Sequence, residues 1–277
     1  MRLPPIRMVT FLALAIGIWP SPIEAQPGFY RFSEGRHAGA IRPGLPEVPG
    51  GFTFCRLIYS SNRTEERGLG WSTDYPNADR NLTLRMGELT TATTSLWADG
   101  EPGIAALSAR DPNLFRCPFL FSSDVGTAAF SAEEVETLRE YFAKGGFLWV
   151  DDFWGERAWS QWSREIGRVL PDHAVVELPM DHPLFRIVYS VREIPQIPSI
   201  QFWRSTGGLT SERGAESAIP TLRAILDESG RILVVMTHNT DIADGWEREM
   251  DDDTFFLLFS PDAYALGVNI LVWMLTH

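Results

Sequence analysis

The chain has 277 residues, 44% of them hydrophobic, and a formal net charge of −12. The charge argues against a nucleic-acid partner, because such binding runs on Lys and Arg neutralising phosphates, and against anionic lipid surfaces for the same reason. Two cysteines, Cys55 and Cys117, are too few to make a structural zinc site on their own.

Arg2 and Arg7 precede an apolar run from Val9 to Trp19. Pro20, Ser21 and Pro22 break that run, and Ile23-Glu24-Ala25 ends in a small residue. This order predicts a secretory signal over residues 1–25 and a periplasmic or secreted address. The run is shorter than the roughly 20 residues of a bilayer span, so no stable membrane span is expected after cleavage. Cleavage removes two positive charges and one negative charge, which leaves the mature chain more acidic still. Residues 26–51 are rich in Gly and Pro and poor in large aliphatics, and they read as a linker or surface arm. Residues 52–277 suit one α/β domain with enough chain to bury a core without disulfides.

Phe52 to Tyr59 opens that domain as a strand, and a polar loop leads to Gly70-Trp71-Ser72-Thr73-Asp74-Tyr75-Pro76. Leu82, Leu84, Met86 and Leu89 suggest a helix over 78–90. Pro118 to Ser122 is a short apolar strand. Ser131 with Glu134 forms a capping box that starts a helix, and Gly145-Gly146 ends it. Phe147 to Val150 is a continuous apolar strand of the kind buried on both faces, and it runs into Asp151-Asp152-Phe153-Trp154-Gly155. A helix over 158–170 stops at Pro171, and a strand over 174–178 leads to Asp181-His182-Pro183. Residues 186–220 read as an excursion with little regular structure. Glu228-Ser229-Gly230 joins two strands as a hairpin that delivers His238, Asn239, Asp241 and Asp244. Asp251-Asp252-Asp253 reads as a solvated turn, and Pro261 to Leu275 as the closing helix. Cys55 and Cys117 each lie at an apolar run; the preferred reading is two buried thiols acting as small hydrophobes, though an oxidising compartment permits a bridge.

Strands alternating with helices predict a mostly parallel sheet covered on both faces, with ligands beyond the carboxyl ends of the strands. Four segments then converge on one rim. They bring Trp71, Asp74 and Tyr75; Asp151, Asp152 and Trp154; Asp181 and His182; and His238, Asn239, Asp241, Asp244 and Trp246. Asp152 and His238 are the catalytic candidates, and the rest are candidate ligand-binding residues. Each has a plainer alternative: Asp caps helices, Asp-His-Pro makes turns, and loop Trp residues bury area. A divalent metal is a candidate cofactor for such a carboxylate-rich rim. Asn239-x-Asp241-x-x-Asp244-Gly245 is only loosely like a calcium loop, lacking the EF-hand spacing and its twelfth-position Glu. No P-loop, dinucleotide fingerprint or zinc-protease helix stands where it would be needed.

Several of these segments, in this order, resemble the bacterial family of domains of unknown function DUF4159. They are Phe54-x-Arg56-Leu57-x-Tyr59-Ser60, Gly70-Trp71-Ser72-Thr73-Asp74-Tyr75-Pro76, Gly145 to Phe153, Asp181-His182-Pro183-Leu184-Phe185, His238-Asn239-x-Asp241-x-x-Asp244-Gly245-Trp246 and Gly267-Val268-Asn269-Ile270. The resemblance covers about residues 52–277 and implies a flavodoxin-like fold of the class I glutamine amidotransferase-like superfamily. Asp151-Asp152 stands at the elbow where an amidotransferase has its Cys, so ammonia release from glutamine is not expected. Three functions remain open. The first is a binding domain for a polar ligand such as a glycan or cell-wall fragment. The second is an Asp/His-dependent or metal-assisted hydrolase, and the third is an envelope scaffold that docks a protein partner.

Overall fold

The structure is a computed structural model that describes residues 41, 42, 44–46 and 51–277. The expected signal, residues 1–25, and most of the expected arm, residues 26–51, lie outside the described residues.

One seven-stranded sheet runs through the domain in the order β3-β1-β4-β6-β9-β8-β7. The strands are β1 (Phe54–Ile58), β3 (Ile104–Ser108), β4 (Phe119–Ser122), β6 (Phe147–Val150), β7 (Val175–Glu177), β8 (Thr221–Leu226) and β9 (Ile232–His238). β2 (Ser60–Ser61) and β5 (Ala128–Ala129) form a separate two-stranded pair. β3, β1, β4, β6 and β9 are mutually parallel, while β8 pairs antiparallel with both β9 and β7. The chain reverses its direction of travel across the sheet at β1, which has β3 on one side and β4 on the other.

Side chains alternate across the pleat. Phe54, Phe119, Phe121, Phe147 and Trp149 face one core, together with α1 (Asn77–Leu89), α5 (Asp244–Glu247) and α6 (Asp253–Thr276). Cys55, Leu57, Leu120, Leu148 and Val150 face the other, together with α2 (Ala132–Ala143) and α3 (Gly155–Val169). The fold is therefore α/β, mostly parallel and helix-covered on both faces. α2 begins at the Ser131–Glu134 capping box and ends where Gly145 takes φ +98°, a conformation that favours glycine.

Several sequence expectations are corrected. β3 was not foreseen: Ile-Ala-Ala-Leu-Ser is short and carries one β-branched residue. The excursion after residue 186 contains a helix, α4 (Ile200–Thr206), capped by Ser199. The closing helix starts eight residues before Pro261, at Asp253, because Asp252 caps it by accepting the backbone N–H groups of Thr254 and Phe255. The tri-aspartate is thus partly a helix start. Pro261 sits inside α6. That helix is long and apolar enough to cross a bilayer, but 56% of its most apolar stretch is buried against the domain, as in a core helix. Finally, Cys55 and Cys117 are joined by a disulfide rather than lying as separate thiols. Cys55 pairs in register with Leu120, and Cys117 stands three residues before it, which brings the two Cα atoms to 6.2 Å, within reach of a bridge.

A carboxylate cavity at the sheet edge

A cavity of about 540 Å³ opens beyond the carboxyl ends of the parallel strands, a size common for small-ligand sites. Asp74 reaches it from the segment after β1, Asp124 from the end of β4, Asp152 from the end of β6, and Asp241 and Asp244 from the turn after β9. The backbone is special at these places. Asp74, Asp124 and Asp152 adopt φ of 65°, 50° and 52°, and Asn239 adopts 63°. The left-handed region is one that Asp and Asn tolerate better than other side chains. At Asp124 and Asp152 this turn comes two residues after the end of β4 and β6, and both residues line the cavity.

Two overlapping groups result. Carboxylate oxygens of Asp74, Asp152 and Asp241 lie within 4.8 Å of one another, and so do those of Asp74, Asp244 and Glu247. The neutral hydrogen bonds around them are few. Asp74 accepts from the Ser123 hydroxyl at 2.9 Å, Asp152 from the Trp154 indole N–H at 2.9 Å, and Asp241 from the Asp244 backbone N–H at 2.9 Å. Asp244 accepts from the Ile200 N–H at 2.6 Å and pairs with Arg248 at 3.3 Å. Among the described residues, Asp152 and Asp241 have no ion pair. Burial therefore pushes the proton affinity of every member up, and neighbouring carboxylates add to it. Asp152 and Asp241 rise well above the usual carboxylate range, Asp244 to about 7 and Glu247 to about 9. Asp124 also rises to about 7, chiefly by burial, against the Gly70 N–H that it accepts at 2.8 Å.

Loops from two sides roof the cavity. Arg213 bonds Glu65 at 3.2 Å, and the Arg67 guanidinium lies 5.7 Å from the centre of the Phe202 ring. Tyr75 and Trp154 contribute aromatic wall.

Of the residues singled out in the sequence, Asp74, Tyr75, Asp152, Trp154, Asp241 and Asp244 line this cavity. The others lie elsewhere. Asp151 fastens β6 to the turn after β9, accepting from the Thr237 hydroxyl at 2.5 Å and the Ala243 N–H at 2.9 Å. Asn239 accepts from the Gly155 N–H and donates to the Ile219 carbonyl, pinning the start of α3. Trp246 is a core residue, 5.3 Å from Trp149 between ring centres. Trp71 is partly buried against both cores and packs 5.8 Å from Tyr75. His238 is buried against the rings of Phe153 and Trp159, with Nε2 3.3 Å from the Gly155 carbonyl and Nδ1 3.4 Å from Arg223. Burial lowers it to about 4, so it is a neutral imidazole. Asp181 is exposed, and His182 packs against Trp273 at 4.9 Å. β7 ends at the same edge of the sheet, but it is the outermost strand, two positions from β9. Asp124, Glu247, Glu65, Glu212, Arg213 and Arg248 line the cavity and were not foreseen. Asp124 was legible: it follows an apolar strand, as Asp152 does.

The model of a domain of unknown function, DUF4159, matches residues 53–275, and the chain is a member of that family. No curated protein matches the chain.

Proposed function

We propose that the protein is an exported domain that binds a polar, oxygen-rich ligand, such as a glycan or cell-wall fragment, through a divalent cation at the carboxyl edge of its sheet. One observation carries the reading: Asp74, Asp152 and Asp241 bring oxygens within 4.8 Å of one another inside a cavity, and two of these three carboxylates lack a positive partner among the described residues. An all-oxygen donor set selects a hard cation. Two oxygens on a calcium ion stand at most about 5 Å apart, and calcium takes about six to eight of them. Three carboxylates thus leave positions for ligand hydroxyls, with Trp154 and Tyr75 beside them to pack an apolar ring face.

The finer fold assignment fits this placement. Numbered among themselves, the five parallel strands run 2-1-3-4-5, the order of flavodoxin-like sheets, whose ligands sit where the order reverses. That agrees with the glutamine amidotransferase-like relationship. The leader-like start of the chain and a disulfide inside the core suit an oxidising, extracytoplasmic compartment. Binding is better supported than Asp/His-dependent hydrolysis, because His238 is packed away from the cavity and offers no base to a ligand there.

Calorimetric titration of the full mature chain with Ca²⁺, Mg²⁺ and Mn²⁺ tests the reading. Saturable binding is expected with at least one ion, weakened roughly tenfold or more by Asp241→Asn. Silence with all three at millimolar concentration sinks it.

A further inference from the structure

The second carboxylate group raises a question that one cation does not answer. Asp74, Asp152, Asp241, Asp244 and Glu247 carry five negative charges when ionised, and Arg248 supplies one positive charge, ion-paired to Asp244 at 3.3 Å and Glu247 at 2.8 Å. The remaining −4 is halved by one divalent cation and cancelled by two. Arg248 is also divided: it reaches the half-exposed Asp251 at 3.3 Å. A separate observation points the same way. The Oε2 atom of Glu247 is fully buried and forms no hydrogen bond; its positive neighbour is Arg248 Nη2 at 2.8 Å. The Glu247 side chain is 3% exposed, so water does not compensate. A buried anionic oxygen whose one cation is shared with two other carboxylates is under-compensated unless something else meets it.

We propose that the cavity holds a second divalent cation between Asp74, Asp244 and Glu247, so that Asp74, common to both groups, bridges a two-cation centre. The inference rests on the cation reading above and extends it. Asp74 suits the bridging role because it stands between the two groups and is held by Ser123 through one oxygen, Oδ2, while its Oδ1 has no hydrogen bond among the described residues. Carboxylate-bridged cations sit roughly 3.5–4 Å apart, close enough for paired Mn²⁺ ions to couple magnetically.

Mn²⁺ titration of the full mature chain, followed by calorimetry and electron paramagnetic resonance, decides the matter. Two Mn²⁺ per chain are expected, and the six-line spectrum of the first ion should broaden and lose intensity as the second enters. Glu247→Gln is expected to retain one ion with an unbroadened six-line spectrum and to weaken the second at least tenfold. Glu247 is buried and ion-paired to Arg248, so a far-ultraviolet circular dichroism spectrum and a melting curve first establish that the variant folds. Asp244→Asn, which keeps the acceptor oxygen for the Ile200 N–H, gives the same readout should Glu247→Gln fail to fold. One ion per chain in the unaltered protein overturns the second site and leaves the single-cation reading standing. Two ions with uncoupled spectra overturn the bridge, and no ion overturns both.

Discussion

Two buried acidic regions lie side by side at the start of α1, and they are built on opposite principles. Asp79, in the first turn of the helix, meets Arg56 of β1; both side chains are fully buried. The Arg56 Nε–H donates to both Asp79 oxygens, and Nη1 donates to the carbonyls of Thr73 and Trp71 at 2.7 and 3.1 Å. The guanidinium also lies 4.9 Å from the centre of the Phe121 ring. That charge is paired, hydrogen-bonded and closed to solvent. Five residues earlier in the chain, Asp74 joins a cluster with Asp152, Asp241, Asp244 and Glu247, to which Arg248 is the one ion-paired guanidinium among the described residues. An acid paired from within holds the fold together. Acids left short of partners at a cavity crowd charge that a cation of the proposed kind would relieve.

The largest test of this contrast is to break the closed pair. Arg56→Met should cost about 3–5 kcal/mol of unfolding free energy, because it strands a buried carboxylate. Adding Asp79→Leu should recover most of that loss, since two apolar side chains of similar volume replace the pair. Urea melts of the single and double variants measure both. A loss below about 1 kcal/mol for Arg56→Met would mean that Asp79 is neutral in the folded protein, and the contrast would fail.

The cavity predicts the opposite sign. With chelator present, Asp241→Asn should raise stability at neutral pH by about 1–2 kcal/mol, because folding no longer has to protonate a buried carboxyl or hold its charge among its neighbours, while the Asp244 N–H keeps an oxygen acceptor. With saturating cation the order should reverse, the unaltered protein gaining more from the ion. Equal stability of the two proteins under both conditions would show that the carboxylates neither repel nor bind.

How much of this was legible beforehand follows from what each signal can carry. The runs Phe119–Ser122 and Phe147–Val150 are buried on both faces, and continuous apolarity announces such strands. Reading the residues that follow a strand found Asp152 and, after β9, Asp241 and Asp244. The same rule applied at Ser122 gives Asp124, which was overlooked because Ser123 intervenes. Glu247 lies in a four-residue helix that no periodicity marks. Asp181 and His182 were rightly placed after a strand, but sequence does not say which strand is outermost, and β7 is. His238 ends β9 with its side chain on the far side of the backbone from the cavity carboxylates, under Trp159, because side chains alternate from one face to the other. The Arg56–Asp79 pair had one visible trace, a lone charge inside the apolar run Phe54–Ile58.

The last test separates two buried titrating groups by the slope of stability against pH. Asp124, raised to about 7, binds a proton in the folded chain that the unfolded chain has released above its ordinary range near 4. Its contribution is present at low pH and is lost as pH climbs from about 4 to 7, by at most about 1.4 kcal/mol per pH unit. His238, lowered to about 4, stays neutral in the folded chain while the unfolded imidazole charges below about 6.5. Its contribution is lost in the other direction, as pH falls from about 6.5 to 4. Asp124→Asn should therefore gain on the unaltered protein as pH rises through that window, and His238→Gln should gain as it falls. Urea melts in chelator at pH 4.5, 5.5 and 6.5 give both difference curves. Because each is a difference against the unaltered protein, the remaining carboxylates cancel to the extent that they titrate independently of the replaced group. A flat Asp124→Asn curve would mean that the Asp124 carboxylate is as well solvated in the folded chain as in the unfolded one, so that its place in the cavity wall carries no burial cost.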